Sequence, residues 1–136
     1  MKKTFLVTKE IHFCYGHRLL NYDGKCRFLH GHNAKVEIEL CSKTLDRRGM
    51  VMDFNEVKQA IHGWIDTALD HKMLLNKRDP MIPYLKSIRE PIVTIDRNPT
   101  AEVLAKMIFD HAKDRRFPVT RVRFWETPTS FATYQP

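Results

Sequence analysis

Apolar and polar positions alternate along both ends of the chain. From about Thr4 to Tyr15, Phe5, Val7, Ile11 and Phe13 share one parity, the signature of a half-buried strand. Val36, Ile38 and Leu40 alternate with Lys35, Glu37 and Glu39 in a second long strand. After a turn region, Leu45 to Gly49, the period changes. Phe54, Val57, Ile61, Trp64 or Ile65, and Ala68 form one helical stripe. Asp53 and Glu56 precede it in capping-box spacing, and Asp70-His71 closes it. Pro80, Pro83 and Pro91 exclude a long helix over residues 77–98, where Ile92 to Ile95 reads as a short strand. Asn98-Pro99 starts a second helix, running to about Lys113, with Leu104, Met107, Ile108 and His111 on its buried stripe. Val119 to Thr127 is a third long strand, with Val122 and Phe124 inward and Arg121 and Arg123 outward. Ser130 to Tyr134 pairs with it as a hairpin. The pattern is α+β, in one domain spanning residues 1–136.

The same parity carries candidate chemistry. Counting on by twos from Phe13 reaches Tyr15 and His17, provided Gly16 inserts no bulge. Counting back from Val36 reaches Ala34, His32 and His30. Three imidazoles thus lie on core-facing parities, two of them at i and i+2. Such a set suits zinc with its fourth position open, the arrangement of a catalytic site. Cys26 offers an alternative as a fourth ligand, which would make the site structural. Glu126 shares the parity of Val122 and Phe124. An inward carboxylate needs a partner. Either a neighbouring cation supplies it, or a ligand with an N–H/NH2 edge does, through two parallel hydrogen bonds. Asp70-His71 reads as helix termination or as an acid–base pair.

Composition narrows the classes. With 43% hydrophobic and 29% charged residues, the chain is an ordinary globular domain, and no apolar run approaches a membrane span. Met1-Lys2-Lys3-Thr4 leads into a strand, not a signal peptide. The three cysteines, Cys14, Cys26 and Cys41, form no CxxC pair, so reduced thiols and a cytoplasmic setting are expected. Cys14 and Cys41 fall on outward parities and are expected to be bystanders. The net charge of +7 comes from scattered basic pairs without an RNA-binding signature. It fits an anionic small substrate or a solvated basic face better than nucleic acid. A non-catalytic zinc or RNA-binding protein is the competing class, and it leaves inward Glu126 and Asp70-His71 without a role.

Six segments then align in order with one family. They are Phe13-Cys14-Tyr15-Gly16-His17, Cys26-Arg27-Phe28-Leu29-His30-Gly31-His32, Gly49-Met50-Val51-Met52-Asp53-Phe54, Leu69-Asp70-His71, Asn98-Pro99-Thr100-Ala101-Glu102 and Glu126-Thr127. In these the chain resembles the 6-pyruvoyltetrahydropterin synthase and 6-carboxytetrahydropterin synthase family over almost its whole length. The resemblance implies the tunnelling fold (T-fold), an antiparallel sheet with two helices on one face. It implies zinc on His17, His30 and His32, Cys26 as proton acceptor, and Asp70 and His71 as the second catalytic pair. It implies Glu126 as anchor of the pterin ring and partner in the charge relay, and Thr100 as lining the pocket from an adjacent subunit. The implied substrate is 7,8-dihydroneopterin triphosphate. The implied product is 6-carboxy-5,6,7,8-tetrahydropterin, with loss of triphosphate and acetaldehyde, for queuosine (7-deazapurine) synthesis. The alternative product is 6-pyruvoyltetrahydropterin. The implied assembly is a homohexamer, a dimer of trimers, with sites at subunit interfaces. Two departures stand out: Cys14-Tyr15-Gly16 replaces small residues, and residues 77–95 are longer than in compact members.

Overall fold

The computed structural model describes residues 4–136, so the lead-in Met1-Lys2-Lys3 lies outside the described residues. Strands β1 (Phe5–His17) and β2 (His30–Ser42) form an antiparallel ladder unbroken from Phe5 opposite Ser42 to His17 opposite His30. Gly16 pairs with Gly31 inside that ladder, so no bulge disturbs the parity. Both residues are small for a steric reason. A Cβ on Gly16 would lie 2.6 Å from the Met73 methyl, and one on Gly31 would lie 3.1 Å from the Tyr15 carbonyl.

A 3₁₀ turn, Lys25–Arg27, lies in the β1–β2 connection. After β2 and a turn region, helix α1 (Phe54–Val57), a π-helical stretch (Lys58–His62) and helix α2 (Gly63–Ala68) run on from one another without interruption. Then come β3 (Lys72–Asn76), α3 (Ile82–Ser87), β4 (Ile92–Ile95), α4 (Ala101–Asp114), β5 (Val119–Thr127) and β6 (Ser130–Tyr134). The six strands form one sheet in the order β4-β3-β1-β2-β5-β6. The pairs among β1, β2, β5 and β6 are antiparallel, as expected. The expected all-antiparallel sheet is corrected on one flank, where β3 pairs parallel with β1 and with β4. Lys72–Asn76 lacks alternation because Leu74 and Leu75 are both fully buried, one on each face.

One face of the sheet carries the core. Ile11, Phe13, Tyr15, Val36, Ile38, Val122 and Phe124 pack against Val57, Ile61, Ile65, Leu104 and Ile108 from the helices. The buried positions Val57, Ile61, Ile65 and Leu69 recur every four residues, wider than the 3.6 of an α-helix. The π-helical stretch supplies the extra winding that keeps them on one line. This corrects the expected stripe in two places. Phe54, in the first turn at the sheet's end, is 46% exposed. Trp64 turns sideways and stacks on His111 of α4 at 3.9 Å. Thr100, not Asn98, caps α4, its hydroxyl accepting from the Val103 N–H at 3.2 Å. Asn98 is engaged elsewhere, as described next.

Candidate metal centre and the adjoining cavity

The sheet delivers His17 and His30 as direct partners, with His32 opposite Tyr15 on the same face. His17 is 1% exposed. Its Nδ1 lies 2.7 Å from the Pro99 carbonyl, and the His30 Nδ1 lies 2.7 Å from the Phe28 carbonyl. A carbonyl only accepts, so each ring carries its proton on Nδ1, and each Nε2 presents a bare lone pair. These two Nε2 atoms face each other at 3.1 Å. The His32 Nε2 is buried without a hydrogen-bond partner. Three ligand atoms, one from each ring, lie within 4.8 Å of one another. Two facing acceptors and an orphaned third are costly in an empty protein and are the expected arrangement around a cation. The residues present fit zinc.

Electrostatics agrees. Burial, with the neighbouring imidazoles, pushes His17 down to about 4 against the opposing pull of the Pro99 carbonyl. Burial and His30 lower His32. Neutral rings are the ligating form.

Backbone contacts fix the frame. The Leu19 N–H donates to the Cys26 carbonyl at 2.9 Å, holding the Cys26 turn beside the end of β1. Asn98 clamps the same connection twice, accepting from the Leu20 N–H at 3.0 Å and donating to the Leu20 carbonyl at 2.8 Å. Arg18, next to His17, pairs with Asp79, whose side chain is fully buried; its Nε donates to Oδ2 at 2.7 Å. The long 77–95 segment thereby gains a role, since Asp79 anchors the residue that follows a candidate ligand.

A cavity of about 360 Å³ adjoins His17, which lines it with Cys26, Thr100, Glu102 and Glu126. Glu126 occupies a bulge: Trp125 faces Phe131 and Thr127 faces Ser130, leaving Glu126 as the extra residue. No cation pairs with it among the described residues. Burial, then Glu102, raise its pKa, while His30 works in the other direction. Burial, then the charges of Glu126 and Cys26, push the Tyr15 phenol above its usual range.

Asp70 and His71 lie elsewhere. They meet Cys14, which points to the opposite face of β1 from His17. The Asp70 Oδ1 accepts from the Cys14 N–H at 3.0 Å, and the His71 N–H donates to the Cys14 carbonyl at 2.7 Å. The His71 Nδ1 is 2.6 Å from the Asp70 Oδ2, the contact of an oriented acid–base pair. Burial disfavours the Asp70 carboxylate, but the Cys14 N–H and His71 overrule it, and its pKa is held low. The Cys14 Sγ is 3.5 Å from both ring nitrogens of His71, so the expected bystander thiol touches the pair. A second cavity, of about 530 Å³, opens there, lined by Cys14, His71 and Met73 and also by His30 and His32. One chain therefore brings His17, Cys26, Thr100 and Glu126 to the first cavity and joins His17 to His30 and His32. It places Asp70 and His71 outside that cavity. Sequence reasoning missed Glu102 as a lining residue and Cys14 as a contact of His71. The first was signalled only by its place two residues after Thr100, the second by nothing local, because its partner is 57 residues away.

Comparison with known proteins places this geometry in a family. A family model described as 6-pyruvoyl tetrahydropterin synthase matches residues 6–136. The chain is 36% identical to the 6-carboxy-5,6,7,8-tetrahydropterin synthase of Aquifex aeolicus, covering 95% of this chain and 96% of that protein. It is 34% identical to the Haemophilus influenzae protein of the same name, covering 96% and 99%. Among solved structures, an uncharacterized Wolinella succinogenes protein superposes with a TM-score of 0.81 at 27% identity, covering 98% of each chain. The 6-pyruvoyl tetrahydropterin synthase of Caenorhabditis elegans superposes with a TM-score of 0.73 at 23% identity, covering 98% of this chain and 96% of that one. The second likeness speaks for the fold.

Proposed function

The chain belongs to the 6-pyruvoyl tetrahydropterin synthase family, and from that premise we propose that it is a zinc-dependent 6-carboxy-5,6,7,8-tetrahydropterin synthase. The substrate is 7,8-dihydroneopterin triphosphate, and triphosphate and acetaldehyde are lost. The relatives above 30% identity cited here carry the carboxy name, which favours that product over the pyruvoyl one. Supply of a 7-deazapurine (queuosine) precursor follows from the product. The observation that carries the reading is the convergence of three imidazoles, two of them with a bare Nε2 lone pair, next to a cavity lined by a thiol and an unpaired carboxylate.

The chain's own residues divide the work. His17, His30 and His32 would hold zinc, which when bound supplies a Lewis acid for the side-chain hydroxyls and acidifies the adjacent C–H. Glu126 accepts two hydrogen bonds from the N–H/NH2 edge of the pterin. Glu102 beside it strengthens the preference for a ligand edge made only of donors. Cys26, lining the same cavity, takes the proton released as ring and side chain tautomerise. Thr100 borders the cavity at the start of α4.

Asp70 and His71 act on the second proton transfer. Since they face away from Cys26 within one chain, a complete centre draws them from a second copy. This favours a symmetric homo-oligomer, with a hexamer expected from the family. The unpaired edges of β4 and β6 agree with such assembly. No helix among the described residues is long and apolar enough to cross a membrane.

The test is incubation of the zinc-loaded protein with 7,8-dihydroneopterin triphosphate, with mass spectrometry of the products. A carboxylated tetrahydropterin and acetaldehyde are expected. The pyruvoyl compound would transfer the chain to the other branch. Unchanged substrate would remove the reading.

A further inference from the structure

Tyr15 is 3% exposed, and its hydroxyl is buried with no hydrogen-bond partner. A dry, unpaired phenol oxygen is costly and calls for an explanation. The strand register shows where it lies. Tyr15 sits on β1 opposite His32 of β2. Its ring meets the Phe124 ring edge-on at 5.7 Å, although Phe124 belongs to β5, beyond β2. The two rings therefore meet over β2, where Phe124 also touches Phe13 at 6.0 Å. The small buried Ala34, next inward position to His32, leaves them room. Phe124 stands opposite Val36 and Trp125 opposite Lys35, so Glu126 follows at the end of that ladder, toward Ala34. The Tyr15 ring passes His17 at 5.1 Å and His32 at 5.7 Å. The ring thus lies between the histidines and β5, near enough to Glu126 for that carboxylate's charge to act on the phenol. Its oxygen is closed to solvent, so it lies behind the cavity wall.

We infer that Tyr15 is a positioning residue for Glu126: its hydroxyl donates a hydrogen bond to the Glu126 carboxylate once a ligand occupies the cavity. The inference rests on the proposed function, in which the ligand is a pterin held by that carboxylate. A donor-only ligand edge takes two of the carboxylate's lone pairs from the front. A phenol at neutral pH is a donor, and its position behind the wall suits a third bond from the protein side. In the empty protein the hydroxyl has no partner, so its removal there costs nothing.

The experiment compares wild type, Tyr15→Phe, Glu126→Gln and the double variant, each loaded with zinc. Neopterin, a stable pterin that cannot undergo the reaction, is titrated by its fluorescence, and zinc content and melting temperature are measured without ligand. Tyr15→Phe is expected to keep its zinc, to melt no lower than wild type, and to bind neopterin about tenfold more weakly, as for a hydrogen bond to a charged group. In the Glu126→Gln background the same change should have little further effect. Wild-type neopterin affinity in Tyr15→Phe, an equal loss in both backgrounds, or a lower melting temperature without ligand would each overturn the inference while leaving Glu126 as anchor. Failure of wild type to bind neopterin would remove the proposed ligand itself, and this role with it.

Discussion

His17 stands directly opposite His30 in the β1–β2 ladder, and their Nε2 atoms face each other at 3.1 Å. Both rings carry their protons on the far nitrogen, toward the Pro99 and Phe28 carbonyls. Two lone pairs held against each other in a protein interior are stable only with a cation between them. The expected content is about one zinc per chain. His30→Ala and His32→Ala should remove the zinc and the activity and leave a folded protein by circular dichroism. Full occupancy in both variants would contradict the assignment.

The carboxylate of Glu126 supplies a pH test. Burial, then Glu102, raise its pKa in the folded, ligand-free chain. The folded state thus favours the protonated form. Its stabilising contribution is whole below the unfolded carboxyl pKa and is lost as pH rises through the folded value. Glu126→Gln should therefore raise the melting temperature of the ligand-free protein more at pH 8 than at pH 4. The same variant should bind pterin measurably but more weakly than wild type. Equal melting shifts at both pH values would refute the burial argument.

Asp79 works in the other direction. Burial opposes its charge, but Arg18 and the Met81 N–H outweigh burial and hold its pKa low. Its contribution is present above the unfolded carboxyl pKa and fades as pH falls through the folded one. Asp79→Asn should cost about 3 kcal/mol at neutral pH, since it strands a charged partner. The deficit should shrink in acid. Urea unfolding at pH 7 and pH 3 reads both effects.

Placement of Asp70 and His71 on the face opposite Cys26 makes a complementation test possible. Cys26→Ala and His71→Ala homo-oligomers should each be inactive. Dissociated and reassembled together, they should regain part of the wild-type rate, because some mixed sites carry both intact residues. Activity that stays absent on mixing, with mixed oligomers shown by native mass spectrometry, would mean that one chain supplies the whole site.

The long strands, the hairpin, α4 and the three-histidine set were all legible in the sequence, because each rests on one periodicity. Ile11, Phe13, Tyr15 and His17 continue a single count, and Gly16 did not break it. Lys72–Asn76 escaped because both of its faces are covered and nothing alternates. The winding around Ile61 escaped because a π-helical stretch follows from packing against the sheet, not from composition. Asn98 looked like a cap and proved to be a clamp on Leu20, 78 positions away. Contacts of that range, like Cys14 with His71, have no local signal.

The account turns on Cys26 as the thiol that moves a proton, distinct from a fourth zinc ligand. The most direct measurement is zinc content and dihydroneopterin triphosphate turnover for wild type, Cys26→Ala and Cys41→Ala side by side. Cys26→Ala is expected to keep its zinc and its neopterin affinity while its kcat falls by at least about a hundredfold, the scale of a general base. Cys41→Ala should match wild type. Loss of zinc from Cys26→Ala, or a near wild-type rate with zinc bound, would contradict the account.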